Sequence, residues 1–159
     1  MSMKNKRNNK ILIKKEVYDR EITKPFIENA VNSILKNLYL SNVEPVEIGI
    51  TLTDNNTIQK LNKEWREKDR PTDVLSFPIN EKPPGYDYYI LGDVVISLPF
   101  AKKQAEEIGF TYKEEILRLL THGILHLLGY DHETSEEDAK EMFALQDKIF
   151  ENVKKDLNL

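Results

Sequence analysis

The 159-residue chain contains no cysteine. That absence excludes disulfides, any disulfide-linked partner, thiolate metal ligands, iron–sulfur clusters and cysteine nucleophiles together. Histidine is scarce, with three residues, so a transition metal would have to be held by His, Asp or Glu. Long apolar runs are missing as well. Nothing approaches the roughly 18 residues needed to span a bilayer. The basic, Asn-rich start is followed only by Ile11-Leu12-Ile13, too short for a secretory apolar core. The expectation is a cytoplasmic protein with no membrane attachment. Positive charge is not in excess either: the net charge of −4 excludes a broadly basic nucleic-acid binder. The charge is nevertheless uneven, since residues 1–80 carry 14 Lys/Arg against 11 Asp/Glu and residues 81–159 carry 9 against 16.

What is present suits one globular domain, with 40% hydrophobic and 31% charged residues. Residues 1–9 read as a flexible basic arm and residues 10–159 as a single domain. Ile11–Val17 reads as a strand. Thr23 caps a helix from Lys24 to about Leu40, with Pro25 in its first turn, where a missing N–H costs nothing. Val46, Ile48, Ile50 and Leu52 alternate with Glu47, Gly49 and Thr51, the period of a half-buried strand. A second helix follows Thr53 or Asp54, with Ile58, Leu61 and Trp65 on one side; Trp65 could stack a base, but at i+4 from Leu61 it is expected as a core anchor. Asp73–Phe77 and Tyr88–Leu98 read as strands; the loop joining them is too short for a crossover helix, so they should pair antiparallel. Ser97 caps a helix to about Ile108, Thr111 and Glu114 form a capping box, and Ser135 caps a last helix to about Val153. Met142, Phe143, Leu145 and Phe150 read as the core face of that helix. The fold class is α+β, a four-stranded mixed sheet with about five helices.

The helix opened by Thr111 is apolar around nearly its whole circumference, so its second half should be buried. Into that segment fall His122 and His126. Four residues at about 100° each put both side chains on one face, one turn apart, where two imidazoles can share an ion. Gly129 can adopt the left-handed turn that reverses the chain and returns His132 towards the same point. All three histidines lie within 11 positions, an arrangement that chance gives in about 1–2% of cases. A buried imidazole pair without acceptors would leave polar atoms unsatisfied. Three nitrogen ligands without thiolate point to one zinc or a similar divalent ion, with a fourth position open to water. The spacing H-x3-H-x5-H matches the metzincin proteases, but Gly123 stands where they carry the glutamate that serves as general base.

These residues resemble the YbeY family of zinc endoribonucleases. The match runs through His122-Gly-Ile-Leu-His126-Leu-Leu-Gly-Tyr-Asp131-His132 and two further ordered segments. One is Asn62-Lys-Glu-Trp65-Arg66 followed by Pro71-Thr72-Asp73-Val74-Leu75-Ser76-Phe77-Pro78. The other is Leu91-Gly92-Asp93-Val94-Val95-Ile96-Ser97. The resemblance implies a zincin-like core and a single metal-dependent hydrolase domain, with zinc on His122, His126 and His132. It implies single-stranded RNA as substrate, chiefly the immature 3′ end of small-subunit ribosomal RNA, with the small ribosomal subunit as partner and a role in ribosome quality control. It also brings in Arg66 as a functional residue near the metal.

Zinc acidifies bound water and polarises phosphoryl oxygens, and phosphoryl transfer needs a cation for the developing charge, the role expected of Arg66. The nucleophile is zinc-activated water or the substrate 2′-hydroxyl. Asp131 either orients a histidine and assists proton transfer or caps the chain reversal. Asp73 and Asp93 are each either a site-lining carboxylate or a turn and cap residue, with the structural role favoured, and Ser76 is a possible groove residue. Lys60, Lys63, Arg66, Lys68 and Arg70 form a local basic patch able to hold RNA phosphates while the net charge stays negative. Two other classes stay open: a zinc hydrolase of peptides, and a non-catalytic ribosome-associated factor with structural zinc.

Overall fold

The computed structural model describes residues 8–38 and 44–159. In chain order the elements are β1 (Lys10–Lys15), α1 (Lys24–Asn37), β2 (Val46–Thr53), α2 (Asn55–Arg66), β3 (Val74–Glu81), β4 (Tyr89–Ser97), α3 (Leu98–Ile108), α4 (Tyr112–Leu127) and α5 (Glu136–Asp156). Most of the expected basic arm, including Lys4, Lys6 and Arg7, and the end of the first expected helix lie outside the described residues. Asn9 is held, because its side-chain oxygen accepts the Val46 N–H at 3.0 Å.

Each helix starts where a side-chain oxygen takes an orphan backbone N–H. Thr23, Ser97 and Ser135 cap α1, α3 and α5 as read from the sequence. Thr111 and Glu114 close both bonds of the capping box on α4. Of the two candidates for α2, Asp54 caps, accepting from the Thr57 N–H at 2.8 Å. Thr53 is instead fully buried, its hydroxyl without a partner.

The sheet order is β1-β2-β4-β3, with β1, β2 and β4 parallel and β3 antiparallel to β4. One face carries Ile48, Ile50, Leu52, Val94 and Ile96, packed against α1, α4 and α5 in the main core. The other face is covered by α2 alone over a small cluster of Ile58, Leu75 and Val95, flanked by Leu61 and Phe77. Strand β3 extends past Phe77 to Glu81, through Pro78. Proline is tolerated there because β3 is an edge strand, and the ladder slips between Pro78 and Glu81. In that slip Asn80 takes φ 52° and its amide donates to the Leu127 carbonyl at 2.8 Å, tying β3 to the end of α4.

Two expected core residues lie outside the core. Trp65 is 63% exposed. Helical periodicity places it on the sheet-facing side of α2, but it reaches only the edge strand, where its ring meets Phe77 edge-on at 6.1 Å. Phe143 is 41% exposed and faces histidines instead of the core. Asp93, expected at a turn or cap, stands in the middle of β4.

Gly92 meets two constraints at once. Its φ is +139°, and a Cβ there would come within 2.3 Å of the Phe77 carbonyl oxygen. Gly92→Ala is therefore expected to destabilise the fold by about 3 kcal/mol. The check is a lowered urea midpoint with an unchanged slope.

Candidate active site

Helix α4 is buried along its length, with Ile116, Leu117, Leu120, Ile124 and Leu125 each fully covered. At its end the Gly129 N–H donates to the His126 carbonyl (3.0 Å) and the Tyr130 N–H to the Leu125 carbonyl (3.1 Å). Gly129 takes φ +95°. This is the Schellman closure that the glycine allows, and it brings His132 back to the helix. The ligand atoms offered by His122, His126 and His132 all lie within 4.8 Å of one another.

The chemistry of this donor set fits a divalent ion. The His122 Nδ1–H donates to the Gln146 side-chain oxygen at 2.7 Å, because an amide oxygen can only accept. That leaves the His122 Nε2 lone pair facing His126 Nε2, 3.1 Å away. Two nitrogens each about 2.0–2.1 Å from a tetrahedral ion stand about 3.3 Å apart. His132 Nδ1 is buried with no hydrogen-bond partner. Burial, ahead of the neighbouring imidazoles, pushes His126 down to about 4, and burial also lowers His122. Both rings are thus neutral near pH 7, the state that binds metal. Phe143 stacks across His122 at 6.3 Å and makes an apolar wall.

The cavity of the histidines is also lined by cations. Arg66, Lys68, Arg70 and Arg118 line the same cavity of about 380 Å³ as the three histidines. The Arg66 Nη2 donates to the Ser76 carbonyl at 3.4 Å. The Ser76 hydroxyl donates to the Gly123 carbonyl on α4 at 2.9 Å. A Cβ at position 123 would lie 2.8 Å from Val94 Cγ1 and 3.3 Å from the Ser76 hydroxyl. The position of the metzincin glutamate is therefore closed by packing as well as lacking a carboxylate.

The family comparisons agree with this geometry. The family described as Endoribonuclease YbeY matches residues 11–154. The chain is 67% identical to the endoribonuclease YbeY of Persephonella marina over 146 residues, covering 92% of this chain and 94% of that one. It is 43% identical to the Aquifex aeolicus protein of that name over 157 residues, 99% and 100% of the two chains. The solution structure of the Thermotoga maritima protein TM1509 superposes with a TM-score of 0.65 at 32% identity, over 93% of this chain and 91% of the other. The chain belongs to the YbeY family. The resemblance carried by the histidine, Asn62–Pro78 and Leu91–Ser97 segments is thereby established over nearly the whole chain.

The structure places the other site residues expected from the sequence unevenly. Of the basic patch, Arg66, Lys68 and Arg70 reach the cavity. Lys63 points away into an exposed pair with Asp69 at 3.9 Å, and Lys60 is not a lining residue. Asp131 accepts the Glu133 N–H at 2.8 Å and lines a separate depression with Tyr130, Thr134 and Asp138, which is the turn-capping geometry. Asp73 is more than a strand-start residue: it lines the cavity and accepts from Gln104 at 3.0 Å.

Three site-building residues escaped the sequence reading. Gln146, which orients His122, left one trace in the sequence: an amide between Met142 and Ile149 on the apolar stripe of α5. Asn62 is buried and donates to the Arg70 carbonyl at 2.9 Å, fixing the loop that presents Lys68 and Arg70. Glu115 is fully buried and holds Arg118 through bonds of 2.5 and 2.7 Å, with Gln104 donating to it at 2.5 Å. These bonds raise the Arg118 pKa and keep the guanidinium charged at the cavity wall.

Gln146→Leu keeps the volume but removes the acceptor from His122. Metal affinity is expected to fall about 10–100-fold with the metal-free melting temperature little changed, read by competition against a chromophoric chelator. With folded pKa values below the ordinary 6.5, His122 and His126 are protonated by acid in the unfolded chain at a higher pH than in the folded one. Stability of the metal-stripped protein is expected to be full above about pH 6.5 and to decline towards pH 4, with a shallower decline in His126→Asn, measured by thermal unfolding across that range.

Proposed function

We propose that this chain is a single-strand-specific, zinc-dependent endoribonuclease whose substrate is the immature 3′ end of small-subunit ribosomal RNA. It acts in the cytoplasm on the small ribosomal subunit, in rRNA maturation and ribosome quality control. The observation that carries the reading is one cavity lined both by three imidazoles and by four cationic side chains. A phosphodiester needs both: neutral nitrogens to hold a divalent ion, and guanidinium and ammonium groups to hold phosphate oxygens. Membership of a family named for endoribonuclease activity supports the same substrate class. Among the described residues no helix is long and apolar enough to cross a membrane.

His122, His126 and His132 hold one zinc ion. When bound, such an ion polarises a phosphoryl oxygen and acidifies water. Arg66, held by the Ser76 carbonyl, and Arg118, held by Glu115, donate to the non-bridging oxygens of the scissile phosphate as its charge grows. Lys68 and Arg70 bind the flanking backbone. Glu133 is the carboxylate that lines the cavity beside His132, in the place expected for Asp131 as a proton carrier. The peptidase alternative loses its base at position 123, where packing leaves no room for one.

Purified protein of measured metal content, given single-stranded ribosomal RNA and a denatured protein, is expected to cut only the RNA and to stop with chelator. Arg66→Ala is expected to keep the metal and lose RNA cleavage by about 10²-fold or more. Cleavage that survives His126→Ala would sink the reading. A 2′-deoxy substitution at the scissile nucleotide identifies the nucleophile, since it blocks attack by the 2′-hydroxyl and spares attack by water.

A further inference from the structure

Arg66 and Ser76 line a second depression, beside the metal cavity and on the half-covered face of the sheet. This groove of about 760 Å³ is walled by Leu61 and Trp65 of α2, Phe77 of β3, Thr51 of β2, and Asp93 and Val95 of β4. Nothing in the proposed chemistry uses it. Trp65 is the single tryptophan of the chain, and among the described residues the one aromatic ring it meets is that of Phe77. Asp93 stands opposite Phe77 in the β3–β4 register. Its carboxyl lies over Gly49, where a Cβ would sit 2.1 Å from Oδ1. Among the described residues that carboxyl has no hydrogen bond or ion pair, and burial followed by the charge of Glu47 raises its pKa.

We propose that this groove is a nucleobase subsite, in which a base adjacent to the scissile phosphate stacks on Trp65 and presents hydrogen-bond donors to Asp93. The proposal rests on the endoribonuclease reading above. Continuity argues for this occupant. Arg66 and Ser76 belong to both hollows, so a strand whose phosphate meets Arg66 on the metal side has its neighbouring base at the mouth of the groove. An exposed indole beside an arginine is a sequence-tolerant platform for an unpaired base. The carboxylate adds selection. It accepts only, so it favours guanine, whose N1–H and N2–H lie side by side, and disfavours uracil, whose N3–H is flanked by two carbonyl oxygens.

Trp65 reports its own occupancy. Zinc-loaded protein is titrated with short single-stranded phosphorothioate RNA while tryptophan emission is followed, and cleavage of unmodified RNA is measured in parallel. Binding is expected to quench the emission. Trp65→Ala is expected to weaken binding and raise KM about tenfold with kcat nearly kept, and Trp65→Phe to recover most of the loss. Guanosine-containing RNA is expected to bind more tightly than its uridine counterpart, with the ratio reduced in Asp93→Asn. Matched melting temperatures of the variants exclude a folding defect. RNA that binds and is cut with unquenched emission, and with wild-type KM in Trp65→Ala, would overturn the subsite and leave the groove to a protein partner. An unchanged guanosine-to-uridine ratio in Asp93→Asn would overturn the role of Asp93. Wild-type protein that neither binds nor cuts RNA would instead fail the endoribonuclease reading, and the subsite with it.

Discussion

The site depends on the close approach of α4 to β3 at Ser76 and Gly123. The Ser76 hydroxyl bonds to α4 through the Gly123 carbonyl, and the Ser76 carbonyl receives Arg66. One residue thus sets the spacing between the metal-binding helix and the cationic wall. Any side chain at position 123 would push the two apart, since the gap is already filled by Val94 and Ser76. The glycine that distinguishes this histidine motif from the protease pattern is required by packing.

Electrostatics follow from that spacing. Taking the His122 and His126 imidazoles out of water disfavours their charged forms, so they offer lone pairs, and the positive charge that α4 brings to the cavity is that of Arg118. The positive charge comes from residues held by other partners: Arg66 by Ser76, Arg118 by the buried Glu115, and Lys68 and Arg70 by a loop tied down through Asn62. Phosphate recognition is in this way confined to one cavity of a chain whose net charge is −4. The acidic excess of residues 81–159 lies largely on exposed positions, including the first turn of α5, where carboxylates suit the helix N-terminus.

Much of the fold was legible because local signals coincided. Caps, the capping box, the alternation of Val46–Leu52 and the short β3–β4 connection together implied the mixed sheet, and the structure has it. The convergence of the three histidines was legible for the same reason: helical spacing and a glycine turn are local geometry. The errors occurred where a neighbour distant in sequence decides. Trp65 sits at the right helical phase for burial, yet it meets Phe77 on the edge strand β3 and its indole stays exposed. Phe143 shares its helix face with core residues but meets the histidines. Two of the five residues of the apparent basic patch, Lys60 and Lys63, lie outside the cavity, because a run of charges in sequence spans more than one direction around a helix end.

By itself the sequence determined the element order, the grouping of the three histidines and, through three ordered motifs, the family. Each is written in spacings of a few residues, over which backbone geometry leaves little freedom. Only the tertiary structure decided which cations join the histidines, that Gln146 orients His122, that position 123 is sterically closed, and that Arg66 stands between two hollows. Those outcomes depend on contacts between α2, β3, α4 and α5, whose relative placement is set by packing of the whole core and is not encoded in any one segment.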